Sequence, residues 1–272
     1  MAQPLVSVVI PVWNGEKTIV RCLESVLQQT WSEMEILVVD DGSTDGTPAL
    51  LEKMARQDPR IRVIRQENAG VSEARNTALP LCQGKYIRFV DSDDTLPPNA
   101  MAHLVRKAEE NGSDLVMAAY TEVVGPMRHV RAMVKSEDTV DCDDFLPILN
   151  RKANSFYCGV LWNKLFRAEL VHSQGLRFIS GLSYGEDMAF VCQYLAGVKK
   201  ISYTQTPVYD YIRNMSGITA HQAMDSLVHP VRNMRVKCRL YEALRALYIA
   251  RGRYDEYRRT LWLYLVRVTV NE

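Results

Sequence analysis

Four short apolar runs constrain this chain more than any other feature: "LVSVVIPV" (5–12), "MEILVVD" (34–40), "RIRVIRQ" (60–66) and "GKYIRFVD" (84–91). The first two are nearly continuous in β-branched residues, the pattern of strands covered on both faces. Between the runs lie amphipathic segments of helical length, over about 16–29, 47–57, 71–81 and 97–111. Thr47 and Pro48 read as an N-cap followed by proline at the first helical position. Such strand–helix alternation predicts an α/β fold with a mostly parallel, doubly wound sheet. "SDLVMAAYTEV" (113–123) adds a further strand.

Beyond about 125 the rhythm changes. Residues 125–145 read as irregular, and "YCGVLWNKLFRAEL" (157–170) mixes aromatic and basic residues. Residues 186–197 read as helix, "KKISYTQTPVYDYIR" (199–213) as a strand pair around Pro207, and everything from 222 onward as helix. The apolar helical pattern is still running at Glu272, which leads us to expect a longer natural chain.

A formal net charge of +1 over 272 residues argues against nucleic acid as the main partner, since neutralising phosphates takes a basic surface. The charge is uneven, with residues 228–267 rich in arginine. Three readings of that tail stay open: packed helices, a homodimer contact, or peripheral attachment to anionic lipid on the inner face of the plasma membrane. The six cysteines are scattered without a C-x₂-C pair, which fits a reducing, cytoplasmic setting. No signal peptide and no membrane-spanning apolar stretch is read.

The acids carry the chemistry. Asp40 and Asp41 end the second run; Asp91, Asp93 and Asp94 end the fourth. In an open parallel sheet, ligands bind in the crevice outside the carboxyl ends of the strands, so both groups should face one crevice. One "DD" alone would be read as acids ending a strand and capping the next helix. Two clusters at matching ends need a cation between them, and Mg²⁺ or Mn²⁺ sharing its shell with a substrate phosphate suits oxygen ligands. Counted from Asp41, residues 41–52 also approach an EF-hand calcium loop, with Gly46 at position six and Glu52 at twelve. Context excludes it: a strand, not a helix, enters the loop, and Pro48 stands inside it. Neither G-x-G-x-x-G nor a P-loop is present.

The chain resembles the inverting glycosyltransferases of family 2, bacterial polysaccharide or lipopolysaccharide enzymes of the GT-A fold. The resemblance rests on "VSVVIPVWNGEKTIVRCLESVLQQT", "EILVVDDGSTDGT", "NAGVSEARNTAL", "GKYIRFVDSDD", "LWNKLFRAEL", "GEDMAF" and "YDYIRNMSGIT", in that order. It implies a Rossmann-like mixed sheet flanked by helices. It also implies a GT-A domain over 1–220, with a nucleotide-sugar half (1–123) and an acceptor half (124–220), and a helical extension over 221–272. Trp13, where the family usually has Tyr, would stack on the base, with Pro11 and Asn14 shaping that turn. Asp41 would accept a hydrogen bond from the base, which leans toward UDP-sugars. Arg75 would lie near the diphosphate. "DSD" matches the D-x-D element: Asp91 and Ser92 toward ribose or sugar, Asp93 on the metal, Asp94 helping it. Asp187 of "GEDMAF" is the expected general base, with Glu186 as fallback. Arg213 and Ser216 would close over the diphosphate, and His221 would either reach the metal or be a surface or capping residue. Trp162, Asn163 and Lys164 would line the acceptor side, with Trp162 equally readable as core. Ala78, where the family commonly has Gly, and Pro80 depart from the pattern.

The reaction implied is an in-line displacement at the anomeric carbon by a hydroxyl of a glycan or lipid-linked glycan, which needs a base within hydrogen-bonding reach. Two rivals are weighed. A sugar-1-phosphate nucleotidylyltransferase would show a glycine- and basic-rich loop after the first strand, and "PVWNGEKT" is a poor one. A non-catalytic glycosyltransferase-like subunit would lose D-x-D or ED, and both are intact.

Overall fold

The computed structural model describes residues 5–132, 137–151, 156–182, 185–213 and 230–269. Strands β1 (Val6–Val12), β2 (Met34–Asp41), β3 (Ile61–Gln66) and β4 (Tyr86–Phe89) form where the apolar runs predict them. They stand in the order β3-β2-β1-β4, all parallel. All of β1 and β4 is buried, as runs without polar alternation require. Helices α1 (Ile19–Leu27), α2 (Thr47–Gln57), α3 (Val71–Ala78) and α4 (Ala100–Asn111) follow these strands in turn. The expected 71–81 helix stops at Ala78, and Leu79–Leu81 form a 3-10 turn around Pro80, which has no amide proton for an α-helical bond.

The second half contains β5 (Leu115–Val124), β6 (Met127–Arg131), β7 (Asp138–Asp141), β8 (Lys164–Arg167) and β9 (Lys200–Ile212). The sheet is mixed, since β8 inserts between β4 and β5, antiparallel to both. β9 runs parallel to β5, and β7 pairs antiparallel to β9 at the far edge. Two expectations are corrected here. The "strand pair" around Pro207 is one strand: the register slips where Pro207 stands opposite Ala119, so the missing N–H makes a bulge rather than an end. The "irregular" 125–145 stretch holds β6, β7 and the start of α5 (Cys142–Arg151). Every residue of β6 is exposed, so it has no buried face for a hydrophobic pattern to mark.

Short helices α6 (Phe156–Gly159) and α7 (Ala168–Ser173) flank β8, and α8 (Glu186–Leu195) precedes β9. From Pro230 the described tail is helical as expected, as α9 (Pro230–Ala250) and α10 (Tyr254–Thr269), while 222–229 and 270–272 lie outside the described residues. It packs on the second half, α9 against α8 and α10 against α5. Arg251 pairs with Asp143 at 2.5 Å and donates to the Val198 carbonyl at 3.0 Å. Among the described residues, no helix is long and apolar enough to cross a membrane.

The crevice opens beside β1. Its pairing with β2 continues to Val12 opposite Asp40, but its pairing with β4 ends at Val9 opposite Phe89. Pro11 shares Val9's backbone direction, so its missing N–H faces the side where β4 has already left the ladder. The strand order reverses at this point, the usual place for a ligand crevice in such sheets.

Candidate active site

At the end of β2, Asp40 and Asp41 are both buried by the loops around them. Asp41 is 3% exposed, and its carboxylate accepts three N–H bonds. Gln66 Nε2 (2.7 Å) and the Ala69 amide (2.9 Å) donate to Oδ1, and the Gly70 amide (2.8 Å) donates to Oδ2. Gly70 has a φ of +90°, a conformation glycine adopts without strain, and this turn aims two successive amides at one carboxylate. A carboxylate has about four acceptor sites, so roughly one remains for a ligand. Asp40 Oδ1 accepts the Ser43 amide at 3.0 Å, and Arg65 Nε lies 3.4 Å from Oδ2.

Across the β1 end, Asn14 has a positive φ of 49°, which asparagine tolerates better than most residues. Its amide donates to Ser43 Oγ at 2.9 Å, and its Oδ1 accepts the Thr44 amide at 2.8 Å. The β1 and β2 loops are thereby tied together beneath Trp13, whose ring is 56% exposed and open to stacking.

The second acidic group is organised by one buried guanidinium. Arg75, on α3 and 3% exposed, donates from Nη1 to Asp187 Oδ1 at 2.7 Å and from Nη2 to Asp91 Oδ1 at 3.0 Å. Glu186 Oε1 lies 3.6 Å from Nη1. Three sequence-predicted acids thus meet on a predicted arginine, although Arg75 and Asp187 stand 112 residues apart. Burial disfavours the Arg75 charge, but Asp187, Asp91 and Glu186 together outweigh it and hold the guanidinium firmly protonated. The ring of Phe178 lies 5.3 Å from the guanidinium carbon and stacks on Phe190 at 4.2 Å. The adjacent Asn76 clips Phe178, accepting its amide at 2.8 Å and donating to its carbonyl at 3.0 Å.

Asp187 is held in the first turn of α8 by Gly185, whose φ is +83°. A side chain at Gly185 would meet Leu240 of α9 at 3.0 Å, so the tail packs closely on this turn. Burial pushes the Asp187 carboxyl up to about 7; Arg75 and Lys164 oppose the shift, and the charges of Glu186 and Asp91 reinforce it.

Asp93 and Asp94 follow Asp91. Burial and the neighbouring aspartates push both carboxyls above their ordinary range. Asp94 is fully buried: Oδ1 accepts the Ile212 amide at 2.7 Å, while Oδ2 has no hydrogen-bond partner among the described residues. Arg21 Nη2 donates to the Asp93 carbonyl at 2.7 Å, leaving its carboxylate half-buried. Among the described residues, no group of three or more metal-ligating side chains converges. The set nevertheless fits a hard divalent cation: carboxylates that repel one another, and one carboxylate oxygen without a hydrogen-bond partner among the described residues.

Other expected residues fall differently. Trp162 (2% exposed) and Lys164 (0% exposed) do not line an acceptor surface. The Trp162 indole stacks at 4.4 Å on Tyr209 and 5.5 Å on Tyr211, and the Lys164 ammonium is spent on the turn before it. Arg213, one residue past the Ile212–Asp94 bond, is exposed and pairs with Glu122 at 3.1 Å. Ser92 is half-buried between Asp91 and Asp93. Ser216 and His221 lie outside the described residues.

Three residues of this site escape sequence reading. Gln66, on Asp41, was findable, because it pairs with Asp41 in the parallel register at the end of β3. Tyr209, whose hydroxyl accepts the Asp91 amide at 3.1 Å, and Phe178 under Arg75 carry no local signal.

Residues 7–168 match the family model described as Glycosyl transferase family 2. The uncharacterized glycosyltransferase EpsJ of Bacillus subtilis (strain 168) is 31% identical over 217 residues, covering 79% of this chain and 63% of its own length. Staphylococcus aureus TarS 1–349, solved in complex with UDP-GlcNAc, shares the fold with a TM-score of 0.70 at 21% identity, covering 97% of this chain and 81% of that one. The mannosyltransferase PcManGT from Pyrobaculum calidifontis, solved with GDP-Man and Mn²⁺, aligns with a TM-score of 0.59 at 19% identity, covering 99% and 87%.

Proposed function

Because this chain belongs to glycosyl transferase family 2 and has the GT-A fold, we propose that it moves a sugar from a nucleotide-sugar donor to a hydroxyl of a glycan or lipid-linked glycan, inverting the anomeric carbon. The observation that carries this reading is the Arg75 junction, which gathers Asp91 from the D-x-D stretch and Asp187 from the ED stretch into one crevice. An acceptor hydroxyl needs a base poised near neutrality, and a carboxyl pushed up to about 7 meets that need better than an ordinary aspartate. Asp187 Oδ1 is occupied by Arg75, so Oδ2 is the oxygen that takes the acceptor proton. Glu186 adds the negative charge that keeps the base basic.

Trp13 offers its ring to the base, and Asp41 offers one remaining acceptor site to an imide N–H. A uracil fits that demand, and UDP-GlcNAc in the TarS complex is consistent with a UDP-sugar donor. Asp93 would hold Mg²⁺ or Mn²⁺, with Asp94 fixing the loop through Ile212. When bound, that cation supplies Lewis-acid stabilisation of the leaving diphosphate, and the Mn²⁺ complex of PcManGT supports it. We assign 1–220 to the catalytic domain, divided near 123, and 221–272 to an extension that braces α8. A role in building cell-envelope polysaccharide follows as the setting of such a transfer.

Asp187→Asn tests the assignment. Transfer should fall by about a hundredfold or more, the scale of a lost general base, with nucleotide affinity kept. Transfer at the wild-type rate would overturn the role given to Asp187.

A further inference from the structure

We propose that Lys164 is a positioning residue for Asp187: its buried ammonium clips the turn that packs on α8 and contributes positive charge that favours the ionised form of that carboxyl. The inference rests on the reading of Asp187 as the base. Lys164 opens β8 and is wholly buried. Its Nζ donates to the Tyr157 carbonyl at 3.0 Å, the Val160 carbonyl at 2.5 Å and Asn163 Oδ1 at 2.8 Å. Three acceptors match the three N–H bonds of an ammonium, where a neutral amine has two.

Those bonds satisfy the donors but leave the charge unanswered, and lysine is seldom fully buried without a paired acid. Among the described residues, no carboxylate comes within ion-pair distance of Nζ, and the acid whose charge it feels is Asp187. Burial pushes the Lys164 ammonium down to about 7, against the opposing pull of Cys158 on α6 and Asp187 on α8. Asp187 in turn is faced by Arg75 from α3, Asp91 from beyond β4, Glu186 on its own helix and Lys164 from β8. Two cations therefore stand against two neighbouring acids. Arg75 makes the contact, and Lys164 completes the balance.

The mechanical path is short. Gly159 lies in the clipped turn, and a side chain there would meet Met188 Cβ at 3.5 Å. Met188 is the residue after Asp187, so the turn that Lys164 fastens lies against the helix turn carrying the base.

The experiment labels the aspartate side-chain carboxyl carbons and follows Asp187 by NMR, its signal identified by its absence in Asp187→Asn. Wild type, Lys164→Arg, Lys164→Gln and Lys164→Met are titrated without metal. Both neutral variants should raise the Asp187 midpoint by about one pH unit, the lower end of what an opposite charge at close range contributes. Lys164→Arg should leave it in place. In parallel, sugar release is measured with Mn²⁺ from whichever of UDP-GlcNAc, UDP-glucose or GDP-mannose the wild type cleaves. The acid limb of kcat/KM should move with the NMR midpoint while donor KM stays constant. An unmoved midpoint in either folded neutral variant overturns the proposal. So does failure of both neutral variants to fold while Lys164→Arg folds, which would make Lys164 a structural clip. A wild type that cleaves no donor would instead overturn the reading of Asp187, with the titration still deciding on Lys164.

Discussion

Asp41 is a buried acid and Asp187 a half-buried one, and the protein treats them in opposite ways. Asp41 is surrounded by N–H donors from β3 and the turn after it. Asp187 shares one guanidinium with Asp91 and Glu186 and is pushed up to about 7. A carboxylate that accepts several N–H bonds is held in one orientation, which suits recognition. One that burial pushes up to about 7, with neighbouring acids reinforcing the shift, is held near the point of protonation, which suits proton transfer. On the proposed reading, the Asp41 end of the crevice is built before any ligand arrives, while the acids around Arg75 are left in tension for substrate and cation to relieve.

The sharpest way to break this contrast is to remove the acid proposed to hold the cation. Asp93→Asn should cut transfer by about a thousandfold, since Lewis-acid stabilisation of the leaving group is worth several kcal/mol. Excess Mn²⁺ should restore part of the loss, and melting temperature should hardly change. Full activity of this variant in a chelator would end the cation reading.

The same contrast predicts opposite stability changes at the two acids. Asp41→Asn places an amide against three N–H donors and should cost about 1–3 kcal/mol, the penalty of unmet buried donors. For Asp187 the sign runs the other way. Its folded form keeps the proton up to about 7, whereas an ordinary aspartate releases it near 3.8. Its contribution to stability is therefore present below about 3.8 and lost as pH rises through about 7. Asp187→Asn should match the wild type near pH 4 and melt above it by a margin that grows toward pH 8. Melting curves across that range check both variants. A loss at pH 8 in Asp187→Asn would contradict the tension assigned to this site.

The wild-type rate carries the third consequence. If Asp187 is the base as proposed, the acid limb of kcat/KM should fall near pH 7 rather than near 4, because that carboxyl must lose its proton before it can act. A limb near 4 would place the base elsewhere.

How much of this was legible beforehand follows the range of each interaction. The four parallel strands and the acids at their ends are local patterns, and the strand order reverses beside β1, where the crevice rule expects a ligand. β8 was missed as a sheet member because "KLFR" pairs with β4 and β5 far away in sequence, and nothing local marks an antiparallel insertion. Lys164 was misread for a related reason. A lysine beside aromatics looks like a surface contact until the fold supplies three buried acceptors for it. Arg75 and Asp187 were each found by motif, yet their 2.7 Å bond spans α3 and α8 and belongs to the tertiary structure alone.

Trp13→Ala has the smallest expected effect and separates the two ends of the crevice most cleanly. The ring is exposed and the loop beneath it is held by Asn14, Ser43 and Thr44, so stability should not change. Nucleotide affinity should weaken by about 1 kcal/mol, roughly fivefold in Kd, the lower end of base–aromatic stacking. Trp13→Tyr should recover most of that, because stacking needs a flat ring and not the indole N–H. The acid limb near pH 7 should stay where it is in both variants. If it moved, base binding and the Arg75 junction would form one coupled unit, and the division drawn between a prebuilt end and a strained end would have to be abandoned.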